Sequence, residues 1–321
     1  MKQRLLSIFF RLLSNEQINK EQLSKEYNVS IKTISRDLTE IKNFLADDLD
    51  LTNGLELTYN KNNNTHSLNN NKLLLPKELL VIIKILIESR AIERTEFIRI
   101  IDKIKGFTNS NNKDLLQEII SKEIMTYSGV KHMNVELINL IWNISDNIYK
   151  RKEISIDYYK IDGKKVKRHI LPIAIVFSEY YFYLIAYRSD KDDYKPLYYR
   201  VDRITNVIVH RKNFDIPKEY YFDEGELKEK IHFMTYGELR KIKFEFTGLS
   251  VQAILDKIPT AKVIENDGKK SIIVADAYGD GIKYFLLSQG SWIKVLEPES
   301  FVREMREELE KMCENYKLKG E

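Results

Sequence analysis

The chain has one cysteine, Cys313. A lone thiol excludes an intrachain disulfide and any zinc site built from clustered cysteines, and it fits a reducing cytosol. An excess of one charge is also missing: 52 basic against 48 acidic side chains leave a formal +4. So mild a balance makes no global basic field, and any nucleic-acid site has to be a local patch. Long apolar runs are absent too. Residues 79–87 are interrupted by Lys84 and are far too few to span a bilayer. Near the start, Leu5-Leu6-Ser7-Ile8-Phe9-Phe10 follows Lys2 and Arg4. Arg11 ends that run and no small-residue cleavage site follows, which argues against a signal peptide. These absences predict a cytoplasmic protein with no membrane partner.

Catalytic signatures are equally scarce. No G-x-x-x-x-G-K-S/T or G-x-G-x-x-G loop occurs to cradle phosphates, and no G-x-S-x-G elbow to expose a nucleophile. His66, His132, His169, His210 and His232 are scattered, without an H-x-x-x-H pair. Asp190, Asp192 and Asp193 could hold a divalent ion, but a solvated hairpin tip accounts for them better. Asp276 and Asp280 stand beside Gly279 and Gly281 and read as a loop before a helix. The expectation is no catalysis, no cofactor and no metal.

What is present is a clear order of patterns. Residues 1–45 read as three helices. Leu5, Ile8, Phe9 and Leu12 have helical spacing. Asn19 with Gln22 opens a short second helix carrying Leu23 and Tyr27. Ser30 caps a third, whose apolar stripe is Ile34, Leu38, Ile41 and Leu45. Off that stripe stand Lys32, Thr33, Ser35 and Arg36. A short helix, a tight Asn28-Val29-Ser30 turn and a polar-faced helix fit a helix-turn-helix, whose second helix would reach bases and phosphates in the major groove. A three-helix bundle with a solvated face is the competing reading. Asp37 would repel phosphate and reads as structural, pairing with a neighbouring base. An alternating hairpin at 55–68 with tip 60–64 would add a wing, and 69–72 a polar linker. Pro76 suits the first turn of a helix running through Leu79, Leu80, Ile83, Ile87 and Ile92, and two more helical patterns cover 115–125 and 135–148.

From residue 154 to 209 the chain is aromatic-rich and β-patterned, with turn residues spaced for five strands of a small closed or nearly closed barrel. Its central strand alternates, placing Tyr181, Tyr183, Ile185 and Tyr187 opposite Phe182, Leu184 and Ala186. The apolar set is assigned to the core and the tyrosine set to a groove, where arginines would meet phosphates and stacked bases. Arg203 could instead pair with Asp202 inside the barrel wall. Beyond an acidic, irregular stretch, residues 241–312 show a β-α-β-β-α-β-α order suited to a ferredoxin-like sandwich. Its last helix carries the stripe Phe301, Met305, Leu309 and Met312.

Several of these residues carry a family resemblance. Phe182-Tyr183-Leu184 stands where WYL domains have Trp-Tyr-Leu, with Phe in place of Trp. Arg200-Val201-Asp202-Arg203-Ile204 resembles their F-R-x-D-R-I close, and His169-Ile170-Leu171-Pro172 the segment before it. Residues 29–38 resemble the V-S-x-R-T-I-x-R-D-I of DeoR-like winged-helix regulators, and 284–298 the C-terminal extension of WYL regulators. The resemblance implies a multidomain α+β chain. Its parts would be a winged helix-turn-helix at 1–72, a helical linker and dimerisation region at 73–150, and a small SH3/Sm-like β-barrel at 151–212. A linker at 213–235 and a ferredoxin-like C-terminal domain at 236–321 would complete it. It implies a homodimeric regulator that binds double-stranded operator DNA through Ser30, Lys32, Thr33, Ser35 and Arg36. Tyr183, Arg200, Arg203, His169 and Arg188 would bind a nucleotide or single-stranded nucleic-acid effector. The alternative is an RNA- or protein-binding module that controls a partner enzyme.

Overall fold

The computed structural model describes residues 2–14, 16–47, 55–69, 74–106, 110–133, 136–191, 194–217 and 238–316. Most of the expected linkers at 69–72 and 213–235, together with Asp192, Asp193 and His232, lies outside them. The chain divides into two compact units, Met1–Lys131 and His132–Glu321. Among the described residues no helix is long and apolar enough to cross a membrane.

The first unit opens with α1 (Lys2–Leu13), α2 (Lys20–Glu26) and α3 (Ile31–Asp47). Ile8 and Leu12, Leu23, and the α3 stripe Ile34, Leu38, Ile41 and Leu45 interlock as one buried cluster. Asn19 caps α2, its side-chain oxygen accepting from the backbone N–H groups of Glu21 and Gln22 at 2.8 and 3.2 Å. Asn19→Ala should therefore cost this unit about 1 kcal/mol in urea unfolding; no change would mean that water replaces the cap. Asn28, at φ 50°, reverses the chain between α2 and α3. The hairpin β1 (Leu57–Asn60) and β2 (Thr65–Leu68) pairs Leu57 with Leu68 and Asn60 with Thr65. His66 bridges back to Ile18, tying the hairpin to the helices.

Three further helices complete the unit: α4 (Pro76–Ser89), α5 (Arg94–Lys105) and α6 (Ser110–Thr126). Here the sequence reading needs correction. α4 stops at Ser89 because Arg90 adopts a left-handed conformation at φ 49°, so Ile92 lies beyond its end. The separate helix α5 went unread, although its Phe97 and Ile101 are at the centre of the cluster. Tyr127 stacks on Phe97 with ring centroids 3.8 Å apart.

The second unit begins with α7 (Leu137–Tyr149) and β3 (Lys152–Tyr159), β4 (Lys165–Ser178), β5 (Tyr181–Arg188), β6 (Leu197–Arg200) and β7 (Ile204–Asn213). The five strands form one antiparallel sheet in the order β6-β5-β4-β3-β7. Of the closed or nearly closed barrel expected, no closed form is found: among the described residues the edge strands β6 and β7 are not paired. α7 packs against the sheet. Its Leu137 and Ile144 pack on Ile154, Ile156, Ile170, Leu184 and Ala186 of the sheet. α7 thus lies in the same compact unit as the sheet.

A second sheet follows, with β8 (Leu239–Phe246), α8 (Val251–Lys257), β9 (Lys262–Asn266), β10 (Ser271–Tyr278), α9 (Gly281–Ser288), β11 (Ile293–Glu297) and α10 (Glu299–Asn315). Its order is β11-β8-β10-β9, antiparallel throughout. The three helices bury Ile254, Ile282, Leu286, Phe301 and Met305 against one face. Leu309 and Met312 continue the α10 stripe into solvent. On the other face Tyr278 meets Ala174, Val176 and Ile185 of the first sheet, and Lys257 pairs with Glu179 at 3.0 Å.

Candidate nucleic-acid and effector sites

Ser30, Lys32, Thr33, Ser35 and Arg36 gather on the first two turns of α3. The buried stripe of that helix turns them outward; Lys32 and Arg36 are exposed, Thr33 and Ser35 half-buried. Ser30 and Thr33 are partly committed to the helix end. The Ser30 hydroxyl accepts from the Thr33 backbone N–H at 3.1 Å and shares a hydrogen bond with its hydroxyl at 2.9 Å. Asp37 is buried, and Arg4 of α1 donates to both its oxygens, at 2.5 and 3.1 Å. Its charge is thus compensated inside the fold and kept from the polar face. What remains exposed is cationic and hydroxylic, chemistry that suits phosphate and guanine edges.

The second site lies at the β5–β6 edge. Tyr183 and Arg200 are cross-strand partners. The Arg200 guanidinium sits over the Tyr181 ring, 3.4 Å from its centroid, and Tyr181 meets Tyr183 edge-on at 6.5 Å. From Nε and Nη2, Arg200 donates to the two oxygens of Asp202 at 3.0 and 2.7 Å. Asp202 is buried, and His132 Nδ1 stands 3.7 Å from its second oxygen. Burial pushes the Asp202 carboxyl up, but His132 and Arg200 beside it prevail and hold it down at about 2. Burial raises the Tyr183 phenol above its ordinary value, so it stays a neutral donor at physiological pH. A bidentate, ring-stacked guanidinium is pre-organised, which lowers the entropy lost when an anion binds.

The other expected effector residues are placed elsewhere. Arg203 follows in a short 3-10 turn and makes no ion pair among the described residues; the buried acid beside it is held by Arg200 instead. Arg188 lies on the opposite face of β5 and donates from Nε to Asp190 at 2.7 Å. His169, opposite Ser155 on β4, is on the order of 20 Å of strand away from the position paired with Tyr183. There its Nε2 is 3.1 Å from the buried Glu153, which Lys212 also approaches at 2.8 Å, and its ring leans on His210.

The tyrosine groove is also shorter than its alternation predicts. Ile185 and Tyr187 are both buried: Tyr278 of the second sheet packs against Ile185, and Tyr187 meets Tyr194 edge-on at 5.5 Å. Tyr181, Tyr183 and Arg200 are what remains open. Sequence reading missed Asp202 and His132 as the supports of Arg200. The Arg-x-Asp spacing was visible, whereas His132 comes from before α7 and left no local signal. Among the described residues no group of three His, Cys, Asp or Glu side chains is placed to hold a metal ion.

Comparison with known proteins bears on residues 140–209, which match the family model described as WYL domain. No curated protein sequence matches the chain. Among solved structures, the proteasome accessory factor B/C (PafBC) of Arthrobacter aurescens aligns at 15% identity and a TM-score of 0.29, covering 98% of this chain and 47% of that one. A structure titled as a CRISPR Cas-related protein aligns at 16% identity and a TM-score of 0.37, covering 67% of this chain and 61% of that one. The chain thus spans about half of the first and three fifths of the second, and likenesses this distant carry no argument here. The family match covers α7 from residue 140 and continues through the five-stranded sheet into β7. The chain therefore carries a WYL domain at residues 140–209.

Proposed function

We propose that the chain is a non-enzymatic, cytoplasmic transcription regulator. Its first three helices and hairpin act as a winged helix-turn-helix on double-stranded operator DNA, and the WYL domain senses an anionic effector, a nucleotide or nucleic-acid fragment. The observation that carries the reading is the outward cationic start of α3, held on a buried stripe and followed by a β-hairpin, in a chain that also has a WYL domain. Exposed Lys32 and Arg36 supply the charged base or phosphate contacts, and the tip 60–64 lies along the backbone. A single module of this size buries modest surface on DNA, so a specific operator calls for a two-fold homodimer. The C-terminal sheet, ferredoxin-like in its strand order, braces the sensor through Tyr278.

The test is quantitative duplex binding with DNA from upstream of the protein's own gene. Lys32→Ala and Arg36→Ala should each weaken specific binding by about 1–3 kcal/mol where the contact is bidentate to a base. Folding should be unchanged, since both side chains lie off the buried stripe. Unaltered affinity in both variants would remove α3 as the reader. Binding to RNA but to no duplex would favour an RNA-binding module.

A further inference from the structure

α3 begins with Ile31, and that side chain is 48% exposed. It stands at the border between two faces of the helix. Three residues on, Ile34 belongs to the buried stripe; four residues on, Ser35 belongs to the outward side. Among the described residues Ile31 is part of neither the buried cluster of these helices nor the half-buried side chains packed on it. An exposed β-branched side chain gives a helix no local advantage over alanine or leucine, so neither packing nor propensity accounts for isoleucine here. Its neighbours narrow what it can meet. The Ser30 and Thr33 hydroxyls are bonded to each other at 2.9 Å. Lys32 and Arg36 can reach guanine edges or phosphates. Residues 31–37 hold no Asn or Gln, the side chains that pair bidentately with adenine. The start of α3 therefore has readers for G·C pairs and one exposed apolar side chain besides.

We infer that Ile31 is a specificity-determining residue that reads the 5-methyl group of a thymine in the major groove. The inference rests on the reading of α3 as the DNA-contacting helix and adds a base that this helix requires. The N-terminal residues of a recognition helix are the ones that approach base edges, and Ile31 lies among them beside Lys32. Thymine is the base that offers a methyl group in that groove. Before association both the isoleucine and the methyl group are hydrated. Covering each with the other removes apolar surface from water and strands no polar group. One methyl group covered in this way corresponds to roughly a fourfold gain in affinity. Cytosine at the same position would set its amino donor against the apolar side chain and leave it unpaired, so the contact also selects against the wrong pyrimidine.

The test is a double-mutant cycle between the full chain and its DNA. Wild type selects a duplex from a random-sequence pool, and each thymine of that duplex is then replaced in turn by deoxyuridine, which lacks only the methyl group. At one thymine position wild type should bind the uracil duplex about fourfold more weakly. Ile31→Ala should bind the thymine and uracil duplexes equally, with unchanged circular dichroism, since alanine suits an exposed helical position. Ile31→Val keeps the branched methyl groups and should retain part of the penalty. A wild type indifferent to uracil at every position overturns the inference. So does a penalty that Ile31→Ala keeps in full at each sensitive thymine, because the methyl group is then read by another side chain or through DNA shape. In both cases a duplex is still bound specifically, and the regulator reading stands. A selection that enriches no duplex refutes the regulator, and the inference with it.

Discussion

Asp202→Ala is expected to cost the second unit about 2–3 kcal/mol, or about 5–10 °C in Tm. Removing one member of a buried ion pair leaves the other uncompensated. The figure stays below that for a fully enclosed pair because Arg200 keeps a fifth of its side chain in water. The loss should be accompanied by a pH effect of defined sign. The folded carboxyl, at about 2, is below the ordinary aspartate value near 4. The pair's stabilisation is therefore complete above pH 4 and is lost as pH falls towards 2, an amount of about 1–2 kcal/mol after allowance for solvent screening. Urea unfolding of wild type and Asp202→Asn across pH 2–5 reads it directly. Parallel curves for the two proteins would show that Asp202 contributes nothing in that window, and a Tm loss below 1 °C in Asp202→Ala would contradict the buried-pair account.

The second large effect concerns the proposed sensor. Arg200→Ala should weaken binding of nucleotides or short single strands at least 100-fold while duplex affinity stays unchanged. Wild-type effector binding should itself fall steeply with salt. Since Arg200 also neutralises Asp202, Arg200→Lys is the necessary companion. It keeps the charge but loses the planar fork and the stacking on Tyr181, and should sit near a tenfold loss. Arg203→Ala tests the neighbouring guanidinium, which has no carboxylate to neutralise among the described residues and can be removed with little structural cost. Equal binding by wild type and Arg200→Ala would place the sensor elsewhere. Absence of binding by either, over the panel of nucleotides and oligonucleotides, would set aside a nucleic-acid effector.

Local patterns in the sequence determined a good deal of this molecule. Ile34, Leu38, Ile41 and Leu45 repeat at helical spacing, so the buried stripe of α3, and with it the outward side bearing Lys32 and Arg36, followed from periodicity alone. Asn19 and Ser30 named helix starts because a side-chain oxygen there meets an unpaired N–H of its own next turn. Five strands and the later β-α-β-β-α-β-α order were legible for the same reason: each segment's pattern belongs to that segment. Tertiary structure decided what depends on residues far apart in the chain. α4 ends at a left-handed arginine, with neither glycine nor proline to announce it. That β6 and β7 stay unpaired, and that α7 lays its apolar face on the five-stranded sheet, depends on segments far apart in the chain. The tyrosine face of β5 looked like a groove until Tyr278, some ninety residues on, covered Ile185. Asp202 could pair with Arg200 or Arg203 on spacing alone. The choice of Arg200 came from the cross-strand register that sets it beside Tyr183 and over Tyr181, with His132 also near the acid. Periodicity records which face of an element is apolar, but what comes to cover that face is settled only when the elements pack.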